Sequence, residues 1–341
     1  MSTLVYSVAA SPILIAFVLT AVMRRISLAR GLLDVPNERS SHATPTPRGG
    51  GAAIVMGSLG AWCVLRAMHV LDNDLFMALA VGGLAIAIVG LIDDRRPLRA
   101  SVRLVVHIAA AIWSVVWLGK LPLANLGGMP FVTTAAVEAV AVLGIVWVLN
   151  LFNFMDGIDG IAASEAVFVS WGGALLLMLG GGAPGVAAVE LALGSACVGF
   201  LVWNWPPAKI FMGDVGSGYL GYVLAVLALA GARENPATFW VWLILGGVFF
   251  VDATFTLVRR MLRGERVYQA HRSHAYQWLA RRWHSHKRVT LTVLAINVLW
   301  LLPCATYVVV NPRQALVATL VALLPVLGAA AAAGSGRSET R

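Results

Sequence analysis

The sequence predicts an all-α polytopic membrane protein with about eleven transmembrane helices, and three observations lead there. Of its 341 residues 59% are hydrophobic and 12% charged, with a mean hydropathy of +0.82, whereas a soluble domain is about a quarter charged. Apolar runs close to the roughly 20 residues that a transmembrane helix needs recur along the whole chain. The basic residues are segregated, 21 of the 25 lysines and arginines falling in one set of alternate loops.

Hydropathy places the spans near 4–23, 51–69, 75–92, 104–119, 132–149, 161–180, 186–203, 217–231, 238–258, 289–310 and 314–333. The first has no basic stretch before it and no A-x-A-like site, and it ends in Arg24-Arg25. It reads as a retained helix rather than a signal peptide. The basic loops hold Arg24 to Arg48, Arg95 to Arg103, Lys209, Arg259 to Arg288, and Arg337 with Arg341. The opposite side keeps only Arg66, Lys120, Arg233 and Arg313. The positive-inside rule therefore sets the N-terminus in the periplasm and the C-terminus in the cytoplasm. The net charge of +9 is a topology signal, with attraction to anionic membrane lipids added; it is not a nucleic-acid signal. Residues 1–333 read as one integral membrane domain, and GSGRSETR (334–341) as a disordered cytoplasmic tail. Cys63, Cys197 and Cys304 are isolated in apolar segments, without metal or redox spacing.

The distinctive polar stretches all fall on the cytoplasmic side. DVPNERSSHATPTPRGGG (34–51) carries Arg39, His42 and Arg48 beside a glycine run. Its basic groups suit a lipid phosphate; a plain linker is the alternative. LIDDRRPLR ends the third span with Asp93-Asp94. Adjacent carboxylates repel, so the pair calls for a cation, a shared proton or neutralisation by Arg95 and Arg96. NLFNFMDGIDG (150–160) spaces Asn150, Asn153, Asp156 and Asp159 three apart, near one helix face. Carboxylate and amide oxygens are the ligands a hard cation such as Mg²⁺ prefers. Capping at a span junction accounts for one or two of these residues, not four.

FMGDVGS puts Asp214 before a helix among Gly213, Gly216 and Ser217. Such a turn either exposes N–H groups to an anion while its carboxylate holds a metal, or caps the span. HRSHAYQ (271–277) spaces His271, His274 and Gln277 by three, with Arg272 beside them. No third histidine or cysteine completes a zinc set, and imidazole with guanidinium suits a phosphate-rich ligand. His284 and His286 read as solvated loop residues. Together these loops describe a site at the cytoplasmic membrane edge, for one soluble phosphorylated molecule and one lipid phosphate.

With these five stretches in this order, the chain resembles the polyprenyl-phosphate N-acetylhexosamine-1-phosphate transferases over nearly its whole length. The resemblance implies transfer of a sugar 1-phosphate from a UDP-N-acetylhexosamine to undecaprenyl phosphate, with UMP released, in the bacterial inner membrane. It implies Mg²⁺, with Mn²⁺ as a substitute, and it leaves a homodimer open. Carried over by motif, Asp93 and Asp94 take the place of an essential aspartate pair, joined by Asp156. Asp214 takes that of the metal ligand, with Asn153 or Asp156 as its companion. Asp159, His271, Arg272, His274 and Gln277 face the nucleotide sugar, and Arg39 and Arg48 the lipid phosphate. Ser40-Ser41, where many relatives carry lysine, and HRSHAYQ, where many carry a run of histidines, point toward the O-antigen initiating branch. That branch uses UDP-N-acetylfucosamine or UDP-N-acetylquinovosamine; UDP-N-acetylglucosamine is the third candidate donor.

Two other classes stay open. A transporter would place acids inside its spans, and Asp252 in the ninth span is one such residue; uptake into vesicles without a lipid product would identify it. A scaffold of a glycan assembly complex would need no chemistry at all.

Overall fold

Lipid offers a backbone no partner but itself, so the apolar runs fold as helices. The computed structural model describes residues 2–36, 44–119, 121, 134–265 and 271–338. α1 (Thr3–Ala10) and α2 (Pro12–Ala29) follow one another across Ser11. β1 (Leu33–Asp34) and β2 (Thr46–Pro47) form a small antiparallel ladder, Leu33 opposite Pro47. α3 (Gly51–Ala67) is followed by α4 (Asn73–Met77), which runs through a π turn at Ala78–Gly82 into α5 (Gly83–Asp93). α6 (Ala100–Leu118), α7 (Thr134–Met155), α8 (Ile161–Leu179), α9 (Pro184–Asn204) and α10 (Asp214–Glu234) come next. α11 (Ala237–Leu245) and α12 (Gly247–Leu262) meet at a bend of 75°. The amphipathic α13 (Ala275–Trp283) leads to α14 (His286–Ile296), which continues through a second π turn into α15 (Leu302–Val310). α16 (Ala315–Ala333) closes the bundle.

Among the described residues nine helices are long and apolar enough to cross a membrane, or ten if the bent pair is one span. α3, with 17 residues, is a shorter apolar helix. Within the described residues, every apolar run expected as a span is made of these helices. The run at 238–258 is not the straight span expected: it breaks at Gly246-Gly247, a glycine pair of the kind at which helices kink. Large apolar side chains such as Val116, Leu299 and Val310 are more than 70% exposed on the bundle's outside, as a lipid-facing surface requires.

α10 is the axis, with 94% of an 18-residue stretch of it buried, and α3, α5, α7, α8 and α9 pack around it. Small residues permit this closeness. A Cβ on Gly51 of α3 would lie 2.6 Å from the Gly216 nitrogen of α10. The loop before α3 also pairs with the strand-like stretch before α10: Phe211 N–H donates to Pro47 O at 2.8 Å, Gly50 N–H to Phe211 O at 3.0 Å and Gly51 N–H to Met212 O at 2.9 Å. PRGGG and FMGDVGS are thus two halves of one joint.

The start of the expected disordered tail is ordered. Ser335 is fully buried, because α16 ends at Gly334 with φ +104° and the chain turns back onto α12 and α13. Residues 339–341 lie outside the described residues.

Candidate active site

The start of α10 is held by a carboxylate from α5's end. Asp94 Oδ1 accepts the Asp214 N–H at 3.0 Å and Oδ2 the Val215 N–H at 3.2 Å. These are orphan donors of a helix N-terminus, where negative charge is favourable. Gly213 has φ +76°, and a Cβ there would lie 2.5 Å from an Asp94 oxygen; only glycine fits the turn. Burial pushes the Asp94 carboxyl above its usual range, while the two N–H bonds and the Arg48 guanidinium pull it back. Asp94 therefore aims α10, and Arg48 lies close enough for its charge to be felt. Arg39, also expected on the lipid-phosphate side, lies outside the described residues.

Asp93, one residue earlier, faces the other way. Its Oδ1 accepts the Leu98 N–H at 2.5 Å and its Oδ2 meets Arg103 Nη1 at 2.6 Å. The same Nη1 is 3.4 Å from Asp214 Oδ2, so one guanidinium bridges two carboxylates contributed 121 residues apart. Asp214 Oδ1 accepts from Asn153 Nδ2 at 2.8 Å, and that amide also donates to Ser217 Oγ at 3.0 Å. With its N–H groups spent, Asn153 has its carbonyl oxygen left to give.

The four oxygens of NLFNFMDGIDG do not stay on one face. Asn150 donates back to Val146 O within its own helix at 2.7 Å. α7 ends at Met155, and Gly160 turns the chain with φ +76°. Asp156, half-buried, stays with the cluster: desolvation, then the charges of Asp214, Asp94 and Asp159, push its carboxyl well above the usual range. Asp159 turns outward. Its Oδ2 accepts the Ala208 N–H at 3.0 Å and its Oδ1 lies 3.2 Å from His286 Nδ1. His286, expected to be solvated, thus helps line a polar cavity of about 680 Å³ with Asp159, His284, Lys287, Arg281 and Phe211.

The 271–277 loop packs on the end of α7. The Tyr276 hydroxyl donates to Phe154 O at 2.9 Å; burial and the charges of Asp252 and Asp156 keep that phenol protonated. His274 is 1% exposed and stacks between Phe154 and Tyr276. Gln277 Oε1 accepts the His274 N–H at 3.3 Å, a cap on α13. His271 and Arg272 are the partly exposed members of the loop. His271 Nδ1 lies 2.9 Å from Ser273 Oγ.

On the lipid side an apolar cavity of about 540 Å³ runs along α7 between α10 and the bent pair, lined by Val140, Gly144, Phe152, Trp242, Gly246 and Phe250. Phe152, at the cytoplasmic end of this lining, directly precedes Asn153 in α7. Among the described residues no three acidic, imidazole or thiol groups converge on a protein-only metal cage. Mg²⁺ needs none: it takes one or two carboxylates and is completed by waters and substrate phosphates. Asp214 with the Asn153 carbonyl, and Asp156 beside them, fit such an ion. Sequence reasoning passed over Arg103, Phe211, Tyr276 and His286. Arg103 was legible only as a topology charge, though it stands ten residues after Asp93 at a helix start.

Residues 76–232 match Glycosyl transferase family 4, a stretch that runs from α4 through the carboxylates to α10. A probable undecaprenyl-phosphate N-acetylglucosaminyl 1-phosphate transferase of Bacillus subtilis is 30% identical over 84% of this chain and 80% of its own length. A decaprenyl-phosphate N-acetylglucosaminephosphotransferase of Mycobacterium tuberculosis is 31% identical over 88% of this chain and 82% of its own. A phospho-N-acetylmuramoyl-pentapeptide-transferase of Streptomyces coelicolor is 33% identical over 69% and 77%. These likenesses along most of the chain place it in one family: the protein belongs to glycosyl transferase family 4, the polyprenyl-phosphate N-acetylhexosamine-1-phosphate transferases.

Proposed function

We propose that this chain transfers a sugar 1-phosphate from a UDP-N-acetylhexosamine to undecaprenyl phosphate, releasing UMP and leaving a lipid diphosphate sugar. The observation that carries this reading is the bridging of Asp93 and Asp214 by Arg103, in a fold that also holds a polar cavity at Asp159 and an apolar cavity along α7. A nucleotide sugar suits the first, with the Phe211 ring for the base and Lys287 and Arg281 for charge. A polyprenyl chain suits the second. The likeness to enzymes named for the same kind of transfer supports it.

In the transfer an acceptor phosphate oxygen attacks the sugar-bearing phosphorus. A new P–O bond forms, the bond to the bridging oxygen breaks, and its electron pair leaves with UMP. Such chemistry is mostly positioning and charge neutralisation. Arg103, placed between Asp93 and Asp214, is aimed at phosphate oxygens. Asp93 holds Arg103 and orients the acceptor; a phosphate monoester with a second pKa near 6 needs little help to lose its proton. Asp94 fixes the direction in which Asp214 points. A Mg²⁺ on Asp214 and Asn153 supplies Lewis-acid neutralisation of the diphosphate when bound. His271 and Arg272 lie on the donor side. The setting we propose is the cytoplasmic face of a bacterial inner membrane, in the first step of O-antigen or another envelope polysaccharide, with UDP-N-acetylfucosamine, UDP-N-acetylquinovosamine or UDP-N-acetylglucosamine as donor.

The test is UMP release by the purified protein in detergent with undecaprenyl phosphate, Mg²⁺ and each donor in turn, repeated with EDTA. EDTA-sensitive UMP with one donor supports the reading and names the sugar. No UMP from a folded protein with any donor rejects it.

A further inference from the structure

We propose that the C-terminal segment Gly334–Gly336 and the buried Asp252 form a strap that sets the 271–277 loop, making Ser335 and Asp252 positioning residues for the nucleotide sugar. The inference rests on the reading that this loop faces the donor.

Asp252 lies on α12 and is 3% exposed. A buried carboxylate is costly unless its oxygens are satisfied. Here Oδ1 accepts the Ala275 N–H at 2.8 Å and Oδ2 the Tyr276 N–H at 3.2 Å, the first two N–H groups of α13. Oδ1 also accepts Ser335 Oγ at 2.9 Å and Thr256 Oγ1 at 3.2 Å, and it lies 3.8 Å from His274 Nδ1. The helix that follows the loop is therefore pinned by a group outside the loop.

The C-terminal segment completes the pin. Ser335 is fully buried, with its Oγ 2.6 Å from Thr256 Oγ1 and its carbonyl accepting from Arg259 Nη1 at 3.1 Å. Gly336 N–H donates to Ser273 O at 2.7 Å, and Gly334 lies against the Trp278 ring. Ser273 in turn holds His271 through its hydroxyl. The connection runs from the turn that follows α16 to an imidazole expected at the donor. Tyr276 ties the same loop to Phe154, two residues before Asp156. Displacing the strap shifts the donor loop relative to the carboxylates and leaves the apolar cavity along α7 untouched.

The test uses full-length Ser335→Ala, Asp252→Asn and Gly336→Pro; the last removes the N–H and forbids the φ of +67°. His271→Ala serves as the donor-side reference. Val326→Ala loosens α16 away from the strap. Calorimetry with UDP, the moiety common to the candidate donors, is read beside KM for each substrate and the melting temperature. Losing one hydrogen bond predicts UDP binding weakened, and donor KM raised, by about three- to tenfold, with KM for undecaprenyl phosphate unchanged. Val326→Ala lowers the melting temperature without moving either KM. Strap variants that bind UDP as wild type does, while His271→Ala loses it, overturn the strap alone. A wild type that binds no UDP removes the donor-site reading and the strap with it.

Discussion

Asp94 accepts the backbone N–H of Asp214 at 3.0 Å and, through its second oxygen, that of Val215 at 3.2 Å. A side chain from the end of one helix thereby sets the first turn of another, the turn that presents Asp214. Asp252 repeats the device on Ala275 and Tyr276. In both cases a helix carrying candidate functional groups is held at its N-terminus by a carboxylate from elsewhere in the chain.

Asp93 and Asp94 should therefore fail differently. Asp94→Ala leaves N–H groups of α10 without partners and should cost about 1–2 kcal/mol of stability, seen as a lower melting temperature together with lost turnover. Asp93→Asn should keep the melting temperature and lower turnover about a hundredfold or more. Near-normal turnover of Asp93→Asn would remove Asp93 from the reaction.

Arg103 carries a second expectation. Arg103→Ala leaves Asp93 and Asp214 side by side without the guanidinium that touches both. Turnover should fall by about two orders of magnitude, and Arg103→Lys should recover only part, since a point charge cannot bridge as a planar fork does. Mg²⁺ titrated against the substrate-free protein should bind Arg103→Ala more tightly, because a competing positive charge is gone. Unchanged Mg²⁺ affinity would argue against a metal at Asp214.

The Asp156 carboxyl is held well above its usual value of 3.8 by desolvation and by Asp214, Asp94 and Asp159. Its charged form is disfavoured in the fold, so the folded protein retains a proton that the unfolded chain has lost. The resulting stability is complete below pH 3.8 and is lost as pH rises through the higher folded value. In EDTA the melting temperature should fall with rising pH on this account. Asp156→Asn should flatten the dependence, and Mg²⁺ should offset the loss at neutral pH. A melting profile identical in wild type and Asp156→Asn would contradict this.

Gly144 lines the apolar cavity and a Cβ there meets nothing within 4 Å. Gly144→Leu should fold, fill part of the cavity and raise KM for undecaprenyl phosphate several-fold, leaving the donor KM alone. Equal changes in both would show that the polyprenyl chain lies elsewhere.

The spans were legible because hydropathy is a local property, and so was the gathering of polar loops at one end. The break at Gly246 was not, since glycine is tolerated inside membrane helices and only packing decides where it bends. Asp93 and Asp94 read as a pair; their opposite duties depend on Arg103 and on α10, which no local pattern reveals. The spacing of three in NLFNFMDGIDG held only while α7 lasted, so Asp159 left the row after Gly157 and found His286. GSG after α16 has the composition of a loose end, yet Ser335 supplies a hydroxyl to a buried carboxylate 83 residues away.

Val140, which lines the apolar cavity, is 67% exposed, so the cavity opens on the outer face of the helices. On the proposed function, a lipid acceptor entering there would never leave the bilayer. Its search is confined to a plane, and its effective concentration is counted per area of membrane, independent of the volume of the cell. On the proposed function, a product leaving by the same doorway would share it with the acceptor. Acceptor and product would then compete for one passage, and slow removal of the product would slow the entry of the next acceptor.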